Sequence, residues 1–134
     1  MAAMTRYLQK KLLDHTLGKA AYTMPDTVYV ALFTANPGED GSLAAEIPSG
    51  VGYARAEVTS IFGETDLMTG QAVNDVAFSF GPATDDWGTV THSAIVDAPT
   101  GGNVLLYGAL VEPKVFATGD STQYAPGGFT VIFE

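Results

Sequence analysis

Apolar positions in the first twenty residues recur at helical spacing. Met4, Leu8 and Leu12 follow one another four residues apart, and Leu13 and Leu17 repeat the interval beside them. The spacing predicts one apolar stripe on an amphipathic helix. Thr5 suits the N-cap and Gly18 the left-handed position just past the end, so the helix is expected over about residues 5–18. Lys11, His15 and Lys19 form a separate polar row. Such a helix lies on something with one face.

Beyond residue 25 the period changes. Val28 to Phe33 is apolar on both faces and predicts a central strand over Thr27–Ala35, covered on both sides. Residues 36–52 carry Pro37, Gly38, Gly41, Pro48, Gly50 and Gly52 and read as a loop. Residues 53–60 read as a strand and residues 63–70 as turn and loop. Val76, Phe78 and Phe80 alternate with Ala77, Ser79 and Gly81, the two-residue period of a half-buried strand. Residues 88–97 and 103–111 form an expected antiparallel pair joined by Ala98-Pro99-Thr100-Gly101-Gly102, and a last strand at 128–134 sets Phe129, Val131 and Phe133 on one face. The fold expected is mainly β: an antiparallel β-sandwich of about seven short strands with one N-terminal amphipathic helix, one domain spanning 1–134. No internal repeat or low-complexity tract interrupts it.

Composition sharpens this picture. Hydrophobic residues make up 46% of the 134, enough for a core, whereas charged residues are only 16%, against roughly 25% in an average domain. That shortage fits a surface partly covered by neighbouring subunits, and it fits a small neutral, loop-rich domain as well. The net charge of −9 is uneven: residues 1–19 carry +3 and the rest −12. An acidic body repels phosphate backbones, so no direct nucleic-acid binding is expected. Arg6, Lys10 and Lys11 are the candidate contacts to an acidic partner, although charge runs mostly describe solvated faces and the basic segment also neutralises the chain's own body. The absence of cysteine removes disulfides, thiolate chemistry and Cys-based zinc sites. No signal-peptide pattern opens the chain and no apolar run reaches the ~18 residues of a membrane span, so aqueous surroundings and no membrane contact are expected.

The residues offer little catalytic chemistry. His92 and Ser93 are strand neighbours and point to opposite faces, which prevents a nucleophile–base pair. His92 reads as a hydrogen-bonded sheet histidine and His15 as a surface residue, and two distant histidines make a poor metal set. Asp85 and Asp86 sit in a loop with no burial to raise a carboxyl pKa. Gly38-Glu39-Asp40-Gly41-Ser42 lacks the alternating acids of a calcium loop, and Gly101-Gly102 lacks the strand-to-helix setting of a phosphate cradle. No catalytic residue, metal or cofactor is expected. Among the aromatics, Tyr29 and Tyr107 are expected in the core, whereas Trp87 and Tyr124, beside turns, are the candidate exposed rings and candidate glycan contacts.

The order of segments resembles a known family. The helix Tyr7-Leu8-Gln9-Lys10-Lys11-Leu12-Leu13-Asp14-His15 is followed by a Pro-marked strand, Pro25-Asp26-Thr27-Val28-Tyr29-Val30-Ala31-Leu32-Phe33-Thr34, and then by Gly52-Tyr53-Ala54-Arg55. The most distinctive block runs from Trp87-Gly88-Thr89-Val90-Thr91-His92 through Asp97-Ala98 to Thr100-Gly101-Gly102-Asn103-Val104-Leu105-Leu106-Tyr107-Gly108-Ala109-Leu110. A closing stretch at 119–134, with Gly119-Asp120, Gly127-Gly128 and an alternating strand, completes it. The whole is similar to short phage and prophage proteins commonly called phage tail fibre proteins. It departs from them after His92, where Ser93-Ala94-Ile95-Val96 replaces a more aromatic run.

The resemblance implies a virion component without catalytic residues, assembled in the bacterial host cytoplasm. Its partners would be other phage virion proteins, tail or capsid subunits, and copies of itself. With no coiled-coil or repeat tract, a chain of this size cannot itself be a long shaft. The expectation is a non-enzymatic subunit of the tail or its fibre. Alternatives are a capsid decoration (cement) protein that stabilises the head, or a carbohydrate-binding attachment module using Trp87 or Tyr124.

Overall fold

The computed structural model describes residues 3–132. Helix α1 spans Arg6–Thr16, and nine strands are named: β1 Ala3–Met4, β2 Tyr29–Phe33, β3 Ala56–Glu57, β4 Gln71–Val73, β5 Phe78–Phe80, β6 Gly88–Val96, β7 Val104–Phe116, β8 Thr122–Tyr124 and β9 Thr130–Ile132. The molecule is mainly β with antiparallel pairing throughout. One sheet has the order β1-β7-β6-β2-β3, and two ladders, β4-β9 and β5-β8, stand apart from it. The 128–134 strand is described only as far as Ile132; Phe133 lies outside the described residues.

Each apolar period finds its layer. Along β2, Val30 and Leu32 join one core with Phe78, Phe80, Trp87, Val90 and Phe116, whereas Ala31 and Phe33 join another with Ala94, Val96 and Val104. Successive side chains on a strand point to opposite faces, so the fully apolar run of β2 is what a doubly covered strand requires. The β5-β8 ladder covers the first face through Phe78, Phe80 and Tyr124. Leu43 and Ala45 of the following loop cover the second, packed on Phe33 and its neighbours, whereas Ile47 joins the first. This is the sandwich-like arrangement the alternation predicts. Burying each such Val, Leu or Phe contributes roughly 1.5–3 kcal/mol.

Helix α1 begins where its cap predicts. The Thr5 side chain accepts a hydrogen bond from the Leu8 N–H, and Gly18 takes φ of 76° just past the last turn. Thr5 also donates through Oγ1 to the Val104 carbonyl at 2.7 Å, which ties the helix start to the sheet. Only part of the expected stripe is used. Leu8 packs on Leu105 and Leu106 with Met4 and Leu12 beside it, whereas Leu13 and Leu17 remain exposed. A surface helix needs about 100° of apolar face, and the second diagonal falls outside that arc.

Several boundaries differ from expectation. The strand expected at 53–60 shrinks to Ala56–Glu57, the two residues whose backbone pairs with β2 at Val30 and Tyr29. Strands β1, β4 and β8 are too short to leave a period. Strand β7 continues past residue 111 to Phe116, and between its pairings Ala109↔His92 and Lys114↔Val90 four residues face one, so Leu110–Pro113 bulges outward. Pro113 is accommodated there because a bulge needs no ladder N–H. Val76 sits before β5 and is exposed.

Candidate functional site

The polar residues that drew attention in sequence are mostly holding loops. The Arg55 guanidinium, 3% exposed, forms two hydrogen bonds of 2.7 Å to the Glu46 carboxylate and donates to the carbonyls of Ala98 (2.7 Å) and Gly101 (2.8 Å). Its proton is held more firmly than usual, first by the Glu46 hydrogen bonds, against the opposing effect of burial. Tyr53 Oη donates to Glu46 at 2.7 Å and accepts from the Leu32 N–H. Burial above all, and then the neighbouring Glu46 carboxylate, push this phenol far above its ordinary value of 10.0. One cluster thus joins the 34–47 segment, β2 and the 98–102 turn. Sequence reasoning missed it, since partners nine and 43 residues apart leave no local pattern.

The other motif residues behave alike. Glu39 and Asp40 pair with Arg6 at 3.1 and 2.7 Å. Asp86 Oδ1 accepts from the Thr118 N–H, and Asp97 accepts from the N–H and side-chain amide of Asn103. At Gly102 an added Cβ would lie 2.6 Å from the Ala98 Cβ, and at Gly52 it would lie 2.4 Å from the Pro82 carbonyl oxygen. These glycines serve close packing of turns. His92 is a sheet histidine with its Nδ1 2.8 Å from Thr91 Oγ1, and partial burial lowers its pKa. His15 lies on the surface and accepts the Tyr22 N–H. Among the described residues no group of three His, Asp or Glu side chains could hold a metal, and no helix is long and apolar enough to cross a membrane.

The candidate contact residues divide. Arg6, Lys10 and Lys11 are exposed on α1, yet each already has a neighbour in its own chain: Arg6 the pair Glu39/Asp40, Lys10 the Asp14 carboxylate one turn on, and Lys11 the Tyr7 ring at 5.6 Å. Trp87 corrects the expectation of an exposed ring. Only 4% exposed, it packs against Phe116 and Tyr53 and donates Nε1–H to the Val51 carbonyl at 2.8 Å. Its neighbouring turn is on the surface, but the indole closes the core beneath it, so no platform of Trp87 and Tyr124 exists on the surface. Tyr29 and Tyr107, expected in the core, are half-buried.

Tyr124 instead marks a feature the sequence did not advertise. It is half-buried, its pKa raised by burial, and the Lys114 ammonium lies 5.3 Å over its ring. Beside it runs an open groove of about 610 Å³ between β7 and the 128–132 segment. Ile95, Leu106, Leu110, Phe129 and Val131 supply its apolar lining, and Glu112 and Lys114 lie at its edge. A second, more polar hollow of about 350 Å³ lies between Tyr7, Tyr22, Asp26 and Asp97.

Buried polar clusters that fasten loops, and an apolar groove at the surface, are set in a mainly β module. The chain belongs to the family described as podophage GP4 fiber I protein gp80, which matches residues 3–132. Membership in a phage fibre family makes it a virion component that associates with other virion proteins. No curated relative matches the chain.

Proposed function

We propose that the chain is a non-enzymatic structural subunit of the tail fibre region of a tailed phage, assembled in the host cytoplasm and held by neighbouring subunits. The fibre-family match across residues 3–132 carries this reading. The disposition of polar residues supports it, because Arg55, Glu46, Asp97 and Asn103 are engaged in fixing turns. The basic helix face is the proposed docking row. Arg6, Lys10 and Lys11 are themselves exposed, and surface ion pairs such as those of Arg6 and Lys10 are worth only about 0–1 kcal/mol, so they can be exchanged for an acidic surface on another virion protein.

Quantitative mass spectrometry of purified particles, with antibody labelling in electron micrographs, tests the reading. A few to a few dozen copies at the tail are expected. Hundreds of copies over the shell would assign a head-decorating role instead, and absence from particles would overturn both. Charge reversal at Arg6, Lys10 and Lys11 is expected to prevent incorporation while the isolated domain melts normally; normal incorporation would remove these residues from the interface.

A further inference from the structure

We propose that the groove beside β7 receives the 64–70 turn of a second copy of this chain, so that the subunit self-associates through tip-in-groove contacts. The inference rests on the reading of the chain as a subunit of a larger assembly, and it names the partner that one surface fits.

The tip is unusual for a soluble surface. Leu67 and Met68 are 97% and 91% exposed, the most exposed neighbouring pair of large apolar side chains among the described residues. They are held there by a fastened turn. Asp66 Oδ1 accepts the Met68 N–H at 2.8 Å, the Asp66 carbonyl accepts the Gly70 N–H at 2.7 Å, and the Asp66 N–H donates to Gln71 at the start of β4. A pre-formed turn loses little conformational freedom on docking, which favours association.

The groove offers the complement. Its volume of about 610 Å³ accommodates several side chains, its lining is predominantly apolar, and no residue of 64–70 lines it within the same chain. Charge agrees with shape. Glu64 and Asp66 precede the apolar tip. Beyond residue 19 the chain has two basic residues, Arg55 and Lys114. Arg55 is buried on Glu46, whereas Lys114 is exposed and lines the groove. The one exposed cation beyond residue 19 therefore lines the groove, together with Glu112, where an apolar tip preceded by two acids would arrive. Such a contact joins two different patches, so it is heterologous and builds a ring or a stack rather than an isologous pair.

Mass photometry and sedimentation of the full chain, with thermal melting of every variant, test this. The wild type is expected to form oligomers. Leu67→Asp/Met68→Asp changes only exposed side chains, so melting should stay near wild type while self-association weakens about 30-fold or more, as for loss of an interface anchor. Val111→Glu, at a groove residue whose side chain is fully exposed, places a charge in the groove with the same expected effect. Mixing these two variants is decisive: one keeps an intact groove and the other an intact tip, so the mixture should form a heterodimer that neither forms alone. Lys114→Glu should also weaken association, and Glu64→Lys in the partner copy, which leaves the Asp66 turn intact, should restore it. A wild type that stays monomeric at 100 μM, association unchanged by the tip variant, or a mixture without heterodimer would each overturn the inference. Any of these leaves the virion reading standing, because incorporation into particles is measured independently.

Discussion

Arg55 grips Glu46 through two parallel hydrogen bonds, Nε to Oε2 and Nη2 to Oε1, both 2.7 Å long, with the guanidinium almost wholly removed from solvent. A buried fork of this kind stabilises only when its remaining donors are satisfied. Here the Nη1 donates to the carbonyls of Ala98 and Gly101. Arg55→Met leaves the Glu46 carboxylate without its counter-charge and should cost about 3–5 kcal/mol. Replacing both residues with apolar ones, as in Glu46→Leu/Arg55→Met, should cost clearly less than Arg55→Met alone. Urea melts of the three variants measure the difference, and equal losses in the single and double variants would show that the charge pairing is not what holds these loops.

Alkaline pH probes the same cluster through Tyr53. Its phenol titrates above the ordinary 10.0 in the folded chain because it is buried beside a carboxylate. The folded state therefore keeps a proton that the unfolded chain releases. Stability from this source is complete below pH 10 and falls as pH rises beyond it, by up to about 1.4 kcal/mol per pH unit for one group. Tyr124, raised by burial, acts in the same direction. Tyr53→Phe should be less stable at pH 7, having lost the bonds to Glu46 and Leu32, yet show a shallower decline between pH 10 and 12. Chemical denaturation across that range checks the slope.

Trp87→Ala separates a core role from a surface one. The indole is 4% exposed and packed between Tyr53 and Phe116. Truncation of such a ring costs about 3–5 kcal/mol, a large share of the roughly 5–15 kcal/mol that holds a typical domain. Loss of cooperative melting at a lower temperature is the expected result. A variant that melted like wild type would show that the ring contributes nothing to the core.

How much of this was legible beforehand follows from the range over which each feature acts. Helix α1, strands β2, β5 and β6 and the turn at 98–102 carry their signals within a few residues, and the sequence predicts them. Strands β1, β4 and β8 span two or three residues and exist through partners far along the chain, such as Gln71 with Ile132 and Phe80 with Thr122. The same holds for the functional surfaces. The exposed cations of α1 are evident because helical spacing displays them. Burial of Trp87 and convergence of Ile95, Leu106 and Phe129 on one groove depend on how the ladders stack, and no period encodes that. Of the residues that carry the family resemblance, Gly52, Tyr53, Arg55, Trp87 and Gly102 serve tertiary packing.

Asn74 supplies a last prediction, on the second layer. It is 1% exposed. Its Nδ2 donates to the carbonyls of Val76 and Ala125, both at 3.0 Å, and its Oδ1 accepts the Phe129 N–H at 2.9 Å. One amide thus ties the β4–β5 connection to the turn before β9. Asn74→Asp keeps the shape but sets a carboxylate against two carbonyl oxygens, with one N–H donor to offset it. Burial and those oxygens favour the protonated acid, so its folded pKa should lie above the unfolded ~3.9. The folded variant then binds a proton more readily than the unfolded chain. Its stability deficit against wild type should be largest at neutral pH and shrink as pH falls through the folded pKa. Asn74→Ala should lose stability by about 1–3 kcal/mol with no such pH dependence. Denaturation of the three proteins between pH 4 and 8 distinguishes them; parallel profiles for Asn74→Asp and Asn74→Ala would mean that water reaches the site and that Asn74 is not the fastening it is drawn as.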